Sequence, residues 1–366
     1  MFKTSAWPLA MLYIALIVFA SLFPFDGWRV QGISPWVFVT APLPPPYWTW
    51  FDVNTNIVGY VPLGFLLALG GLRSGWRAWS IPAAFLSGAA LSLSMEFLQI
   101  YLPRRVPSNL DFVLNAAGAL MGALLAAALE RLGALERWSV FRQRWFDQQP
   151  HGGLVLIGLW PIALLFPATL PFSLGQVLER LDKTLDEWLE GTPFMDWLPL
   201  REEPLVPLMP SAEMLCVMLG LLAPCLLGYM LMVHRGRRAV LAIVVIAAGI
   251  AATALSSAMA YGPNHAWAWN TLPTQAGIVA AILLAVCALP VPRRWCAVLL
   301  ILVLMWQLNW LNQAPLNPYF ADTLQSWEQG RFMRFYGLGQ WLGWAWPYAV
   351  LGYVALRLTQ RQPEPS

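Results

Sequence analysis

The sequence predicts an all-α fold, a polytopic bundle of about ten transmembrane helices, and three observations support this prediction. Hydrophobic residues make up 58% of the 366-residue chain and charged residues only 11%, whereas an ordinary globular domain has roughly 25% charged residues. Apolar stretches of about 20 residues, enough for one bilayer crossing, recur along the chain. Lys and Arg gather in alternate loops, as in membrane proteins of fixed orientation. A soluble catalytic domain is therefore not expected.

Ten apolar stretches define the predicted helices. In chain order they cover residues 7–25, 53–71, 80–102, 110–130, 153–170, 211–233, 239–260, 271–289, 296–311 and 338–357. Lys3 before the first stretch is typical of a secretory signal, but Pro24 and Phe25 close the stretch without a small-residue cleavage site. We therefore expect the first stretch to be a retained helix.

The distribution of basic residues predicts the orientation, because short loops rich in Lys and Arg stay on the cytoplasmic side. Most of the 22 Lys and Arg residues fall on one side, at Lys3, Arg73, Arg77, Arg131, Arg137, Arg142, Arg144, Arg235, Arg237, Arg238, Arg293, Arg294, Arg357 and Arg361. The opposite loops hold most of the acidic residues. Both termini are therefore predicted to be cytoplasmic. The net charge of +3 follows from this topology and does not indicate a nucleic-acid partner.

Cysteine and histidine give no sign of a metal site. The four cysteines lie within or at the ends of apolar stretches, without C-x-x-C spacing or a neighbouring histidine, and the three histidines are scattered over different loops. We predict no metal, no cofactor and no disulfide.

Two long loops, residues 26–52 and 171–210, are rich in Pro and Trp and lie on the predicted outer side. In the second loop, apolar side chains recur at helical spacing, at Leu178, Leu181, Leu185, Trp188 and Leu189. This spacing predicts an amphipathic helix. Because its polar face is acidic, the helix is expected to cap the bundle and not to bind anionic lipid.

The two halves of the chain share short motifs. Ser21-Leu-Phe-Pro-Phe25 closes the first stretch and Thr169-Leu-Pro-Phe172 the fifth, while Leu114-Asn-Ala-Ala-Gly118 resembles Pro273-Thr-Gln-Ala-Gly277. These matches predict a degenerate four-helix repeat followed by two extra helices, as in many transporters. Chance likeness between apolar helices containing Gly and Pro is the alternative.

The predicted segments are a four-helix unit at 1–131, a basic linker at 132–150, a second four-helix unit at 151–290 and a two-helix unit at 291–366. The second four-helix unit lacks the polar set described next. It has Asn270, Thr274 and Gln275 instead. The last unit carries amides with Trp nearby, at Gln307, Asn309, Asn312, Gln313 and Asn317. We interpret the Trp residues as interface anchors.

Polar groups inside membrane segments cost about 2.5–3.5 kcal/mol each when ionised, so they are functional candidates. In the first half they are Asp52, Asn54, Asn56, Glu96, Gln99, Arg104, Arg105, Asp111 and Asn115. The predicted topology places all of them at the outer side. Glu96 and Gln99 share one helical face, as do Asp111 and Asn115, and a short hairpin brings the two faces together.

Small residues and a proline accompany this cluster. Gly118 and Gly122 form a G-x-x-x-G step that predicts close approach of a neighbouring helix. Pro62 and Gly64 are expected to bend or loosen the second helix and to expose backbone carbonyls. Two interpretations of the cluster remain compatible. It is a buried ion-pair network, or its Arg pair binds a phosphate or carboxylate head group.

These motifs resemble the VanZ-like family over about residues 7–130. The resemblance rests on Ser21-Leu-Phe-Pro24, Asp52…Asn56…Pro62-Leu-Gly64, Glu96-Phe-Leu-Gln99, Leu102-Pro-Arg-Arg105, Asp111-Phe-Val-Leu-Asn115-Ala-Ala-Gly118 and Gly122. One position departs from the family pattern, since Ser108 stands where an acidic residue often follows the motif arginine. The resemblance implies a bacterial inner-membrane protein, some of whose relatives confer low-level tolerance to teicoplanin-type glycopeptides. It implies no agreed mechanism.

Three classes of function remain open from sequence. The first is a protein that binds or handles an anionic envelope lipid, or a lipid-linked or peptidoglycan precursor, at the outer leaflet through Arg104 or Arg105. The second is a scaffold that seats envelope machinery through its Trp-rich loops. The third, less favoured, is an enzyme with Glu96 or Asp111 as general base, because no Ser-His, Cys-His or metal-ligand set accompanies these carboxylates.

Overall fold

The computed structural model describes residues 4, 6–22, 25, 27–32, 34, 40–43, 45, 48–103, 105–146, 151–166, 168–193, 205–315 and 333–359. Over these ranges the regular structure is helical, and the predicted all-α fold class is confirmed. The helices are α1 (Ala6–Leu22), α2 (Trp50–Arg73), α3 (Ser80–Gln99), α4 (Asn109–Arg131), α5 (Ala134–Trp145), α6 (His151–Ala163), α7 (Leu178–Leu189), α8 (Pro210–Leu231), α9 (Arg235–Tyr261), α10 (Leu272–Ala288), α11 (Arg293–Leu311) and α12 (Met333–Thr359).

Each of the ten predicted stretches coincides with one of these helices. Six helices are long and apolar enough to cross a membrane, namely α2, α3, α4, α8, α9 and α11. Three more, α1, α6 and α10, are apolar but shorter. For these three and for α12, a full crossing stays a prediction.

The fifth predicted stretch extends to residue 170, but α6 ends at Ala163. Beyond it, the Leu165 N–H donates to the Ile162 carbonyl at 3.1 Å, which tightens the chain into a turn. Pro167 and Pro171 lack the N–H group that a continuing helix would need. The apolar composition of this stretch therefore overstates the length of its helix.

Two helices lie outside the apolar stretches. The amphipathic helix predicted from the spacing in the long loop is present as α7, over the residues that the pattern marks. In contrast, α5 occupies the stretch predicted only as a basic linker. Gly133, with a φ of 66°, separates it from α4, since glycine adopts this left-handed conformation without strain.

The chain divides into two compact units, Met1–Arg142 and Gln143–Ser366, and the division falls inside the predicted linker. In the first unit, α2 packs against α1, α3 and most extensively α4. In the second, α8 is the most deeply buried of the long helices and contacts α6, α9, α10 and α11. One hydrophobic core joins side chains from α6 and from α8 through α12. The segments predicted at 151–290 and 291–366 thus share a core.

Some helix contacts recur in the two units, and the repeat stays a prediction. In the first unit α1 contacts α2 and α3, and α2 contacts α4; in the second α6 contacts α8 and α9, and α8 contacts α10. In the first unit α3 also packs against α4, but no comparable packing of α9 against α10 occurs among the described residues. Among the described residues, Phe25 and Phe172 are the two non-glycine residues with positive φ, at 65° and 63°. Each closes one of the two related motifs. The same uncommon backbone conformation therefore recurs at the same place in both units.

Candidate functional site in the first unit

A close crossing of α2 and α4 sets the frame of the site. A Cβ atom on Gly118 would overlap the Ile57 carbonyl, one on Gly122 would overlap the Val61 carbonyl, and one on Gly64 would overlap the backbone of α4. The backbones of two helices are therefore in close contact at the G-x-x-x-G step. Its partner is α2, whose backbone touches α4 directly.

Pro62 lies inside α2, which continues as one helix from Trp50 to Arg73. Because proline has no N–H, the carbonyl of Val58 loses the donor that would normally lie four residues later. The chain thus has one backbone acceptor without its usual helical partner in this part of α2, while the predicted bending or loosening of the helix stays a prediction.

Glu96 is the most buried charged group of the site, with 3% of its surface exposed. Its Oε2 accepts a hydrogen bond from the Ser108 N–H at 2.8 Å. Ser108 is in turn the N-cap of α4, and its Oγ accepts from the Asp111 N–H at 3.3 Å. At the position where the family pattern often has an acid, the serine side chain therefore caps a helix. The Glu96 carboxylate holds the end of the same hairpin.

Gln99 and Arg105 connect the site to the end of α1. Gln99 Nε2 donates to the Ser21 carbonyl at 3.0 Å, and an Arg105 Nη donates to the Ala20 carbonyl at 3.3 Å. The last carbonyls of a helix have no partner within it, so both side chains satisfy groups that α1 leaves open. The sequence predicted that these residues belong to one hairpin. It did not predict their two hydrogen bonds to the first helix.

Glu96, Arg105 and Asp111 each make further polar or electrostatic contacts. None of the three is therefore an isolated charge.

One buried polar atom of the site has no hydrogen-bond partner. Asn115 donates from Nδ2 to Ser92 Oγ at 3.0 Å, but its Oδ1 is unpaired. The hydroxyl of Tyr60, which is 5% exposed, lies beside Ser92 and Glu96. Buried polar atoms normally have partners, often an ordered water. This part of the site is therefore suited to a polar guest.

Asp52 and Asn56 are placed differently from the rest. The Asp52 carboxylate forms a capping box with Thr49, accepting from its N–H at 3.0 Å and from its hydroxyl at 2.6 Å. This assigns the side chain to the start of α2. Asn56 is half-buried within α2. Arg104 lies outside the described residues.

Three polar residues of the site were not predicted from the sequence. Tyr60 and Ser92 are described above, and Asn109 is 8% exposed and donates from Nδ2 to the Ala41 carbonyl at 2.7 Å. Ser92 precedes Glu96 by one helical turn, a spacing that could have indicated a shared face. Nothing local marks Tyr60, because an aromatic residue in an apolar helix is usually core.

A comparison with known protein families finds a match within the first unit. Residues 6–130 match the family model described as VanZ/LLP1. The first unit carries a VanZ-like domain. The match covers α1 to α4 and every site residue named above. No curated protein and no solved structure matches the chain.

Over residues 6–130 the chain is similar to the VanZ/LLP1 family, and six helices among the described residues are long and apolar enough to cross a membrane. In the VanZ-like domain a guanidinium, two carboxylates and several amides lie at one end of the helices. Among the residues that the structure describes, no three His, Cys, Asp or Glu side chains are grouped for a metal ion.

Proposed function

We propose that the VanZ-like domain binds the anionic head group of an envelope lipid or of a lipid-linked precursor. The supporting observation is the combination of a half-buried Arg105, which donates to the Ala20 carbonyl at the end of α1, with the buried hydroxyl of Tyr60. A guanidinium offers five N–H donors in a planar fork that matches phosphate. The Tyr60 hydroxyl is a further hydrogen-bonding group for the same ligand.

The proposal places the site at the outer leaflet of a bacterial inner membrane. This location follows from the basic loops, which put both termini and residues 132–150 in the cytoplasm. On this topology the end of α3 and the start of α4 lie on the outer side. A precursor exposed there, such as a lipid-linked peptidoglycan unit, presents a phosphate at the depth of Arg105.

The test is native mass spectrometry of the full-length protein purified in mild detergent. Retained phospholipid or polyprenyl phosphate is compared between wild type, Arg105→Ala, Arg105→Lys and Glu96→Gln. The matched control is Arg77→Ala, which removes an exposed arginine at the opposite end of α3. We expect loss of the lipid in Arg105→Ala, partial retention in Arg105→Lys and full retention in the control. Identical spectra in all variants, with unchanged unfolding temperatures, would overturn the proposal.

A link to glycopeptide tolerance is a further consequence of this proposal. If the bound lipid is a peptidoglycan precursor, removing the site should change susceptibility to teicoplanin in a host that expresses the protein. The comparison is between cells expressing wild type and cells expressing Arg105→Ala at equal membrane levels. Equal inhibitory concentrations would separate this protein from the tolerant relatives.

A scaffold function is the second candidate, and exposed aromatic side chains favour it. Trp48 and Trp50 contact each other edge to face, with ring centroids 5.5 Å apart, and Trp50 is 72% exposed. Exposed aromatic residues are frequent anchors in protein interfaces. A stoichiometric partner that co-purifies with wild type, and is lost on Trp50→Ala but not on Glu96→Gln, would support this candidate over lipid binding.

A further inference from the structure

The second unit contains a cavity of about 520 Å³ that is separate from the VanZ-like site. It lies between the turn after α6, the start of α8, the last turns of α9 and the start of α10. Six of its lining residues bear on its chemistry: Phe172, Glu213, Thr253, Ser256, Ser257 and Trp269. If the repeat relates the units, these helices correspond to those that build the first site. The polar set of that site is absent here.

Two hydroxyl groups of the cavity, those of Ser256 and Ser257, are available to a ligand as hydrogen-bond acceptors. Ser256 Oγ donates to the Leu165 carbonyl at 2.9 Å and Ser257 Oγ donates to the His265 carbonyl at 2.8 Å. Because their protons are used in this way, both oxygens remain as acceptors. The Oγ1 atom of Thr253 is buried without any hydrogen-bond partner. A hydroxyl in this condition normally indicates a missing polar neighbour.

Glu213 is the acidic side chain of the cavity. It contributes a half-buried carboxylate, and the basic side chain among the described lining residues is His265, with no Lys or Arg beside it. Phe172 and Trp269 form an aromatic corner, with ring centroids 5.5 Å apart and planes at 88°. Trp269 Nε1 donates to the Ala266 carbonyl at 2.8 Å, which fixes the indole ring. Carboxylate, hydroxyl lone pairs and fixed aromatic rings favour a cation.

We propose that this cavity binds a protonated primary amine. An ammonium group has three donors and no acceptor, which fits the Glu213 carboxylate and the acceptor oxygens of Ser256 and Ser257. The Thr253 hydroxyl accepts a hydrogen bond from the same guest, and the aromatic corner contacts its carbon chain. A phosphate or carboxylate would meet the Glu213 carboxylate, and no Lys or Arg among the described lining residues opposes it. The ligand proposed for the second unit is a cation, whereas the ligand proposed for the VanZ-like domain is an anion. The two proposals rest on different residues, so this one does not depend on the other.

The amine has two sources, the ethanolamine head group of a membrane lipid or a free amine in solution. The full-length protein in detergent is titrated with dioctanoyl phosphatidylethanolamine and separately with dioctanoyl phosphatidylglycerol, which has the same tails and no amine. Bound lipid is counted by native mass spectrometry. Free ethanolamine is then added as a competitor. If ethanolamine displaces the bound lipid, a soluble amine is a sufficient ligand. If the lipid binds and ethanolamine does not displace it, the ligand is the head group of a membrane lipid.

Two nearly isosteric variants test the assigned contacts. Glu213→Gln removes the carboxylate and should weaken amine-lipid binding about tenfold, the effect of one charge-assisted hydrogen bond. Thr253→Val removes the unpaired hydroxyl and should weaken it about threefold. Thr253→Ser should bind as wild type does, and so should Glu190→Gln, which neutralises an exposed acid of the same unit.

The proposal is overturned if wild type binds the two lipids equally, if it binds neither lipid nor ethanolamine, or if both variants bind as wild type does. Unfolding temperatures show whether each variant is folded. Should Glu213→Gln fail to fold, Thr253→Val and the comparison of the two lipids on wild type still decide the matter.

Discussion

Arg238 shows at the residue scale how a basic side chain near a helix start becomes part of the interior. It is 3% exposed, and it donates to the carbonyl of Met232 at the end of α8 and to those of Leu289 and Val291 after α10. Its guanidinium also lies 5.6 Å from the ring centroid of Tyr229. Sequence analysis assigned this arginine to a cytoplasmic loop, where it would only set the orientation. In the structure Arg238 also donates hydrogen bonds to carbonyls that two helices leave without a partner at their ends.

Replacement of Arg238 by Gln should destabilise the second unit by about 3 kcal/mol or more, because three carbonyls lose their donor inside the protein. The measurement is the unfolding midpoint in detergent, monitored by intrinsic fluorescence. Arg235→Gln, an exposed arginine one turn earlier, serves as the control and should leave the midpoint unchanged. Equal midpoints for the two variants would contradict the capping role of Arg238.

At the scale of helices, the contact of α2 with α4 depends on glycines whose Cα atoms face backbone. Gly122→Ala should destabilise the VanZ-like domain, because the added methyl overlaps the Val61 carbonyl and the Phe65 N–H, and backbone cannot move aside as a side chain can. We expect a loss of about 1–3 kcal/mol, measured as a lower unfolding midpoint in detergent.

Gly59→Ala in α2 is the matched control for this prediction, because a Cβ there has open space within 4 Å. Alanine is a better helix former than glycine by roughly 0.5–1 kcal/mol, so the control should be neutral or slightly stabilising. If both alanine variants were stabilising, the close crossing of α2 and α4 would be wrong.

The side-chain amide of Asn312 forms hydrogen bonds with the start of the amphipathic helix α7. Asn312 Oδ1 accepts from the N–H groups of Val177 and Leu178, both at 3.0 Å, and Nδ2 donates to the carbonyls of Leu308 and Gly175. The side chain thus caps the start of a helix that lies more than 130 residues earlier in the chain. This explains one of the amides that sequence analysis found beside the Trp residues.

Asn312→Leu should expose the first turn of α7, because its N–H groups lose their acceptor. We expect faster amide hydrogen exchange at residues 177–181, with little change in α11. Gln313→Leu, the neighbouring and exposed amide, is the control and should exchange at the rate of wild type. Unchanged protection in Asn312→Leu would show that α7 is held by other contacts.

At the scale of the whole molecule, the orientation of the helices is the prediction with the widest consequences. Green fluorescent protein fused after Thr359 should fluoresce, because the C-terminus is predicted to be cytoplasmic. Alkaline phosphatase inserted after Thr192, in the predicted outer loop, should be active. The control is the reverse pair of fusions, with alkaline phosphatase after Thr359 and green fluorescent protein after Thr192. Activity with the opposite pattern would invert the topology and place both polar sites on the cytoplasmic side.

Much of the candidate site was predictable, and the missing part has a common cause. Glu96, Gln99 and Arg105 were found because ionisable and amide groups are rare in apolar helices. Their bonds to α1 were not found, since Gln99 and Ser21 are 78 residues apart and no local pattern records that contact. Asp52 was assigned to the same cluster, but its own neighbour Thr49 accounts for it through a capping box. Tyr60 gave no signal, because its hydroxyl comes to lie beside Ser92 and Glu96 only in the folded unit.

The sequence by itself determined that this protein is a helical membrane protein, where its helices lie and which third of it is VanZ-like. These properties depend on local quantities, the length of apolar runs, helical spacing and motif residues, which any chain segment carries alone. Only the tertiary structure decided that α6 is short, that Arg238 and Asn312 cap distant helices, and that a cavity with Glu213 and Thr253 lies in the second unit. Those features depend on which backbone groups remain unpaired after packing, and that is set by helices meeting in space.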